Sequence, residues 1–125
     1  MSTLGKLIKN RMERVAALPM AQLEVLRFVA EAEHPTMRDV AIHHHIAAPS
    51  ATALVQELAR LGYLTRVADR KDRRQVRLEM TQKGKKALKL TMEKRKQVLT
   101  ELFSTLTQQD KDTFNRILGN ILAAS

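Results

Sequence analysis

Hydrophobic residues recur every three or four positions along most of the chain, which is the spacing of one face of an α-helix. This pattern predicts helices over 4–15 and 20–33, and the second should stop before Pro35 because the residue preceding a proline is biased out of helix. It also predicts helices over 82–105 and 108–123. The last of these carries a continuous apolar stripe formed by Phe114, Ile117, Leu118, Ile121 and Leu122.

Two short helices joined by a tight turn are predicted in the middle of the chain. Thr36, with an acidic residue three positions later, resembles a capping box and opens a helix over 37–45. Pro49 is tolerated only in the first turn of a helix, so the next helix should begin near Ala48. It should end at Gly62, which suits the position just after a helix. The two helices form a helix-turn-helix arrangement.

The apolar pattern then changes to strict alternation, which is typical of a half-buried strand. Val76, Leu78 and Met80 fall on one side of a strand predicted over 75–80. A preceding strand at 63–68 and a turn at 69–74 complete a β-hairpin. Five cationic side chains lie within nine residues at its tip: Arg70, Lys71, Arg73, Arg74 and Arg77.

The composition is that of one ordinary globular domain of 125 residues, with 44% hydrophobic and 28% charged residues. No apolar run approaches the roughly 20 residues that a membrane span needs, and charges interrupt the N-terminal segment too often for a secretory signal. The absence of cysteine excludes disulfides and thiolate metal ligands. We therefore expect a cytoplasmic protein without a membrane partner.

The chain is strongly basic, with 22 Lys and Arg against 13 Asp and Glu and a net charge of +9. Polyanions are the natural partners of such a surface, nucleic acid first. One Tyr, three Phe and no Trp leave little from which to build a base-stacking platform for single strands. A generic basic surface without a partner is the alternative interpretation of the charge alone.

A helix-turn-helix followed by a hairpin is a winged helix, and the residues from Gln22 to Leu88 resemble the MarR family of transcription regulators. The resemblance is strongest in "LARLGYLTRVADRKDRRQVRLEMTQKGKKAL". The matching positions are Leu58, Gly62, Leu64, Asp72, Arg74, Leu78, Thr81 and Gly84.

The resemblance implies a mainly α fold with a small β-hairpin. It implies a single domain over 1–125, with a winged helix-turn-helix core at 18–90 and helical dimerisation regions at 1–17 and 91–125. It further implies a homodimer that presents two winged domains about one DNA turn apart.

In the family the arginine of the wing's D-x-R motif enters the minor groove, and the aspartate helps to hold it there. The resemblance assigns these roles to Arg74 and Asp72. A narrow minor groove focuses negative potential and attracts guanidinium groups. Neighbouring cations along phosphates would release counterions. The predicted wing residues are Arg70, Lys71, Asp72, Arg73, Arg74 and Arg77. A solvated turn without a partner is the alternative.

The predicted recognition helix contains no Lys or Arg between Ala47 and Ala59. By resemblance, Pro49, Ser50 and Ala53 face the groove, with Thr52 and Gln56 close by and Arg60 further along. Pro and Ala can contact thymine methyls, and Gln can read adenine. We therefore expect recognition that favours A/T base pairs, with affinity from the wing and from flanking cations such as Arg38.

Three consecutive histidines, His43 to His45, with His34 nearby, suggest a zinc site. Consecutive helical residues point about 100° apart and cannot all face one ion. We expect instead helix-end histidines that interact with exposed carbonyls, and neither a bound metal nor a cofactor. In the family alignment, His45 falls where a turn glycine is usual.

Members of the family often bind small aromatic compounds between the dimerisation helices and the DNA-binding lobe. The resemblance places such an effector pocket at Met12, Val15, Met20, Leu23 and Met92. Apolar residues at helical spacing are also ordinary core, which is the alternative for this set. The first predicted helix is shorter than the family's usual entry helix, which bears on the dimer arm and on one wall of this pocket.

The sequence therefore predicts a double-stranded DNA-binding regulator, a homodimeric repressor of a pseudo-palindromic operator that a small-molecule effector releases. We expect no enzymatic activity, since no nucleophile and base pair, phosphate-binding glycine loop or paired-carboxylate motif is evident. Two alternatives remain open: an architectural DNA-binding protein with little sequence preference, and a winged-helix module that binds other proteins.

Overall fold

The computed structural model describes residues 2–15 and 18–125. Within them the chain forms six helices and one two-stranded antiparallel sheet, which confirms the predicted mainly α fold with a β-hairpin. The elements are α1 (Thr3–Arg14), α2 (Met20–Glu31), α3 (Met37–His43), α4 (Ala48–Arg60), β1 (Leu64–Ala68), β2 (Val76–Met80), α5 (Gln82–Phe103) and α6 (Gln108–Ala124). Over these residues, no helix combines the length and the apolar character needed to cross a membrane.

Local capping signals set where most helices begin. Thr36 and Asp39 form the predicted capping box, in which each side chain bonds to the other residue's backbone N–H at 3.1 and 2.9 Å. Thr107 and Asp110 do the same at the start of α6. Pro49 lies in the first turn of α4, where its missing N–H leaves no hydrogen bond unmade.

Four helices end earlier than predicted, and the first of them, predicted over 4–15, stops at Arg14. The helix predicted to end at 33 stops at Glu31, and the one predicted to end at 105 stops at Phe103. The helix predicted over 37–45 stops at His43, because the next two residues form a turn in which His45 adopts a left-handed φ of 53°. Hydrophobic spacing marks the apolar face of a helix but not its last hydrogen bond.

The hydrophobic core joins α2, α3, α4 and the hairpin into one unit. Its members are Val25, Leu26, Val29, Val40, Ala51, Val55, Leu58, Leu64 and Leu78. The strands contribute through their ends nearest the helices, since Leu64 pairs with Met80 and Leu78 lies opposite Arg66. The rest of the hairpin extends away from this core and is mostly exposed.

A Schellman motif ends α4 at Gly62, which has a φ of 81°. The Gly62 N–H donates to the Ala59 carbonyl, and the Tyr63 N–H donates to the Leu58 carbonyl. The left-handed conformation favours glycine because it has no Cβ. The chain therefore turns sharply from the helix into β1.

The end of α4 and the start of α5 are joined by direct hydrogen bonds through Thr81. Its hydroxyl donates to the Gly62 carbonyl at 2.6 Å and accepts the Gly84 N–H at 2.9 Å, so that it also caps α5. Its own N–H donates to the Tyr63 carbonyl at 3.1 Å. We call Gly62, Tyr63, Thr81 and Gly84 the hairpin joint, since both strands begin or end there.

The last helix leaves an apolar surface uncovered. α6 contacts α5 through Phe114 and Phe103, whose rings lie 5.1 Å apart. No residue of α6 is buried. The stripe predicted from the sequence is 39–65% exposed and comprises Phe114, Ile117, Leu118, Ile121 and Leu122.

Because the chain approaches Gly84 closely at the hairpin joint, we predict that Gly84→Ala destabilises the fold. A Cβ at this position would lie 2.1 Å from the Tyr63 carbonyl oxygen, so the backbone must move. We expect the free energy of unfolding to fall by about 1–3 kcal/mol, measured by urea denaturation. Gly119→Ala is the matched control, because open space surrounds that position within α6. It should stabilise by about 0.5–1 kcal/mol. Equal effects of the two changes would contradict the close approach.

Candidate nucleic-acid interface

The faces of α4 separate buried from exposed positions cleanly. Ala51, Val55 and Leu58 are buried against the core. The opposite face is exposed and comprises Pro49, Ser50, Ala53, Gln56 and Arg60. These are five of the six positions predicted for the recognition helix, so the structure brings them onto one accessible surface.

Two of the predicted reading residues are engaged within the helix itself. Thr52 is half-buried, and its hydroxyl donates to the Ala48 carbonyl at 3.0 Å. Arg60 forms a bidentate ion pair with Glu57, in which its Nε and Nη2 donate to the two carboxylate oxygens at 2.9 and 2.6 Å. The hydrogen bonds of this pair lower the pKa of the Glu57 carboxyl and raise the pKa of Arg60. Because Arg60 is the only cation of α4, the exposed face of that helix is nearly neutral.

The tip of the wing is organised by Asp72. One oxygen of its carboxylate accepts the Arg74 N–H at 3.0 Å and lies 3.3 Å from the Arg74 Nε. Its carbonyl accepts the Gln75 N–H at 3.0 Å. The Arg74 side chain is nevertheless 93% exposed. Asp72 therefore holds the base of an arginine whose guanidinium projects into solvent, and Arg70, Lys71 and Arg73 are exposed around it.

A second carboxylate, Asp69, organises the base of the wing, and the sequence analysis missed it. Its Oδ1 accepts the Lys71 N–H at 2.9 Å, and its Oδ2 accepts the Arg77 Nε–H at 3.1 Å. The first of these bonds is the main reason why the pKa of Asp69 lies below its ordinary value, and the bond from Arg77 lowers it further. Asp is a common residue at the start of a turn, so its position before the cations was the available signal.

Arg77 differs from the other predicted wing cations because its side chain folds back onto the protein. Besides its bond to Asp69, it donates to the His34 carbonyl at 2.9 Å. The next residue, Leu78, donates its N–H to the Pro35 carbonyl at 2.8 Å. β2 is thereby attached to the segment between α2 and α3. Arg38, predicted to contact the DNA backbone, lies exposed in the first turn of α3.

The histidines are held by two kinds of contact. The His44 Nδ1 lies 3.0 Å from the Val40 carbonyl oxygen, which confirms the helix-end interaction expected for one of them. His43 stacks on Phe28 with ring centroids 4.1 Å apart. His34 and His45 adopt positive φ angles of 49° and 53°. In residues 2–15 and 18–125, no group of three or more His, Asp or Glu side chains is placed to hold a metal ion.

The five residues predicted for an effector pocket differ in their burial. Met12 and Leu23 are buried, whereas Val15 and Met20 are 39% and 43% exposed. Met92 alone of the five lines a groove of about 380 Å³, together with Arg27, Arg95, Lys96, Leu99 and Thr100. The groove lies between α2 and α5, and its lining combines apolar and cationic side chains.

Comparisons with known proteins agree with this geometry. A family model described as "MarR family" matches residues 18–75. The chain is 25% identical over 97 residues to the uncharacterized HTH-type transcriptional regulator YwhA of Bacillus subtilis, covering 78% of this chain and 70% of that protein. A mutant of MepR from S. aureus has the same fold, with a TM-score of 0.84 at 18% identity, covering 97% and 89% of the two chains. A second MepR mutant, solved bound to an oligodeoxyribonucleotide, gives a TM-score of 0.70 at 18% identity, covering 97% and 88%.

Proposed function

We propose that this chain, which belongs to the MarR family of DNA-binding transcription regulators, is a repressor that binds a pseudo-palindromic operator as a homodimer. In this proposal residues 18–90 form the DNA-binding unit, and residues 1–17 and 91–125 form the dimerisation region. The observation that carries the proposal is the wing. It presents the Arg74 guanidinium almost fully exposed while Asp72 fixes its base.

The wing suits the minor groove and its phosphates. A narrow minor groove concentrates negative potential, which attracts a projecting guanidinium such as that of Arg74. Arg70, Lys71 and Arg73 would lie along the phosphate backbone, where each neutralised phosphate releases counterions. Arg38 would add a backbone contact from α3. The MepR mutant that was solved bound to an oligodeoxyribonucleotide supports DNA binding by this fold.

The exposed face of α4 would read bases in the major groove. Pro49 and Ala53 can contact thymine methyls, Ser50 can bond to either strand, and Gln56 can form two bonds to adenine. Arg60 and Thr52 are secondary candidates, because Glu57 and the helix backbone already hold them. We infer that base recognition favours A/T pairs and that the wing supplies most of the affinity.

The terminal helices support a homodimer. The apolar stripe of α6 is exposed, as are Leu4 and Leu7 of α1 at 48% and 41%. A large exposed apolar patch on a globular protein marks an interaction site. A two-fold dimer places its recognition helices on half-sites about 10 base pairs apart.

Release from DNA by a small aromatic effector is part of the proposal. The groove beside Met92 is lined by the apolar side chains of Met92 and Leu99 and by Arg27 and Arg95, which lie 3.6 and 3.7 Å from the Glu24 carboxylate. It lies between the helix that leads into the winged domain and the helix that leads out of it. An effector that favoured one spacing of the two wings would shift the dimer away from the DNA-fitting state.

A second candidate function is architectural DNA binding with little sequence preference. The observation that favours it is the nearly neutral face of α4, whose single cation is paired with Glu57. A protein of this kind would hold DNA by its wing cations alone, without reading bases.

Replacing Arg74 should weaken DNA binding broadly. Arg74→Ala removes one cation from the interface. We therefore expect the dependence of log K on log salt to become shallower by about one per protomer, on all duplexes alike. Fluorescence anisotropy over a salt series measures this slope. Arg116→Ala, an exposed arginine in α6, is the control that removes the same charge elsewhere. Unchanged affinity in Arg74→Ala would exclude the wing from the interface.

Selection of binding sites from random duplexes tests how bases are read. We expect two inverted half-sites with A/T-rich cores, centred about 10 base pairs apart. Gln56→Ala should lose preference at one base pair by about 1–3 kcal/mol, whereas Arg74→Ala should keep the same preferred bases. No enrichment in any selection round would favour the architectural function, and a G/C-rich core would contradict the reading proposed for α4.

A charge placed in the apolar stripe should separate the subunits. In Ile121→Glu an unpaired carboxylate would be buried at the interface, so we expect dimerisation to weaken about 100-fold or more. Sedimentation equilibrium measures this change, and circular dichroism checks that the helices remain. Asn120→Glu introduces the same charge beside the stripe and should leave the dimer intact. A dimer unaffected by Ile121→Glu would place the interface elsewhere.

A further inference from the structure

Arg77 has two protein partners at the base of the wing, although it belongs by sequence to the cationic cluster. Its Nε donates to Asp69 at 3.1 Å, and its Nη1 donates to the His34 carbonyl at 2.9 Å. We propose that Arg77 and Asp69 are positioning residues, which fix the direction of the wing and do not themselves contact DNA. The inference rests on the proposed DNA-binding function.

The shape of the guanidinium explains why an arginine lies here. It is planar and offers five donors in a fixed fork, so one side can serve a carboxylate while the other serves a carbonyl. The Arg77 side chain is 35% exposed and that of Asp69 only 13%. Two of its five N–H donors are therefore committed to protein partners, and these bonds hold the guanidinium against the base of the wing.

The pair connects the wing to the first helix of the helix-turn-helix. Arg77 forms a β-bridge with Thr36, which is also the N-cap of α3. Pro35, which directly precedes Thr36, is buried, and its carbonyl accepts the Leu78 N–H. An isolated two-stranded hairpin is only marginally stable in water. These contacts give this hairpin a fixed attachment to α3.

Asp69 links the Arg77 side chain to the loop at the tip of the wing. While its Oδ2 holds Arg77, its Oδ1 accepts the Lys71 N–H, and its own N–H donates to the Gln75 carbonyl. These bonds close the loop that contains Arg70 through Arg74. One carboxylate therefore determines both how the hairpin is attached and how its cationic loop is folded.

The alternative is that Arg77 binds a phosphate and Asp69 is an incidental neighbour. The two interpretations predict opposite results for Asp69→Asn. This change raises the net charge by one, so electrostatics alone should tighten binding to DNA. If Asp69 positions the wing, the change should weaken binding instead. Since it removes no cation, a lower salt slope would mean that other cations no longer reach the phosphates.

The experiment measures binding of the full chain to a random-sequence duplex over a salt series, by fluorescence anisotropy. We expect Asp69→Asn and Arg77→Ala each to weaken binding about tenfold, and the double variant to be no weaker than either, as for residues that act through one contact. Asp69→Asn should also lower the salt slope. Glu79→Gln is the matched control, an exposed acid on β2, and should bind as tightly as the parent or slightly tighter.

Amide hydrogen exchange provides a readout that does not depend on DNA. Arg77→Ala should accelerate exchange of the Leu78 amide, which is bonded to Pro35, while amides in the middle of α4 stay protected. Asp69→Ala, which removes the acceptor, should do the same for the Lys71 amide.

Tighter binding with an unchanged salt slope in Asp69→Asn, or unaltered exchange at Leu78 in Arg77→Ala, would overturn the inference. Failure of the proposed function has a different signature. In that case Arg74→Ala would not change DNA binding, while the exchange rates at Leu78 and Lys71 would still report on the attachment.

Discussion

The close approach of α5 to the Tyr63 carbonyl is the constraint on which the proposed DNA-binding surface depends. Gly84 permits the approach, and the Thr81 hydroxyl bonds to both sides of it, to the Gly62 carbonyl at the end of α4 and to the Gly84 N–H at the start of α5. Both ends of the hairpin pass through this joint. The reading helix and the wing therefore share one rigid origin, and the position of either depends on the same few hydrogen bonds.

Three arginines near this surface are each paired with a carboxylate, and the geometry of each pair gives it a different role. Asp72 bonds to the backbone and Nε of Arg74 and leaves its guanidinium exposed. Asp69 shares Arg77 with a carbonyl and attaches the hairpin. Glu57 takes both prongs of Arg60 and neutralises the far end of α4. Composition alone counts these arginines equally, although of the three only Arg74 is almost fully exposed, at 93%.

Signals carried by a few adjacent residues were predicted from the sequence correctly, whereas long-range contacts were not. The capping box at Thr36, the start of α4 at Pro49 and the turn at Gly62 each follow from local backbone chemistry. The contact of Arg77 with the His34 carbonyl joins residues 43 positions apart. It requires the strand register and the path of the loop after α2. Helical spacing also does not show which apolar side chains stay exposed, so it did not separate buried Met12 and Leu23 from exposed Val15 and Met20.

Under the proposed function, the nearly neutral exposed face of α4 makes rigidity of the wing more important than it would be beside a basic recognition helix. Without a forked arginine to guanine, α4 would contribute methyl contacts, hydroxyl bonds and the paired amide bonds of Gln56, all of which depend strongly on register. The register must then come from elements that hold the helix against the duplex, namely the wing cations and the spacing of two subunits. The joint at Gly84 and the attachment through Arg77 therefore bear on sequence preference as well as on affinity. Loosening either should blur the choice of bases without removing any residue that touches them.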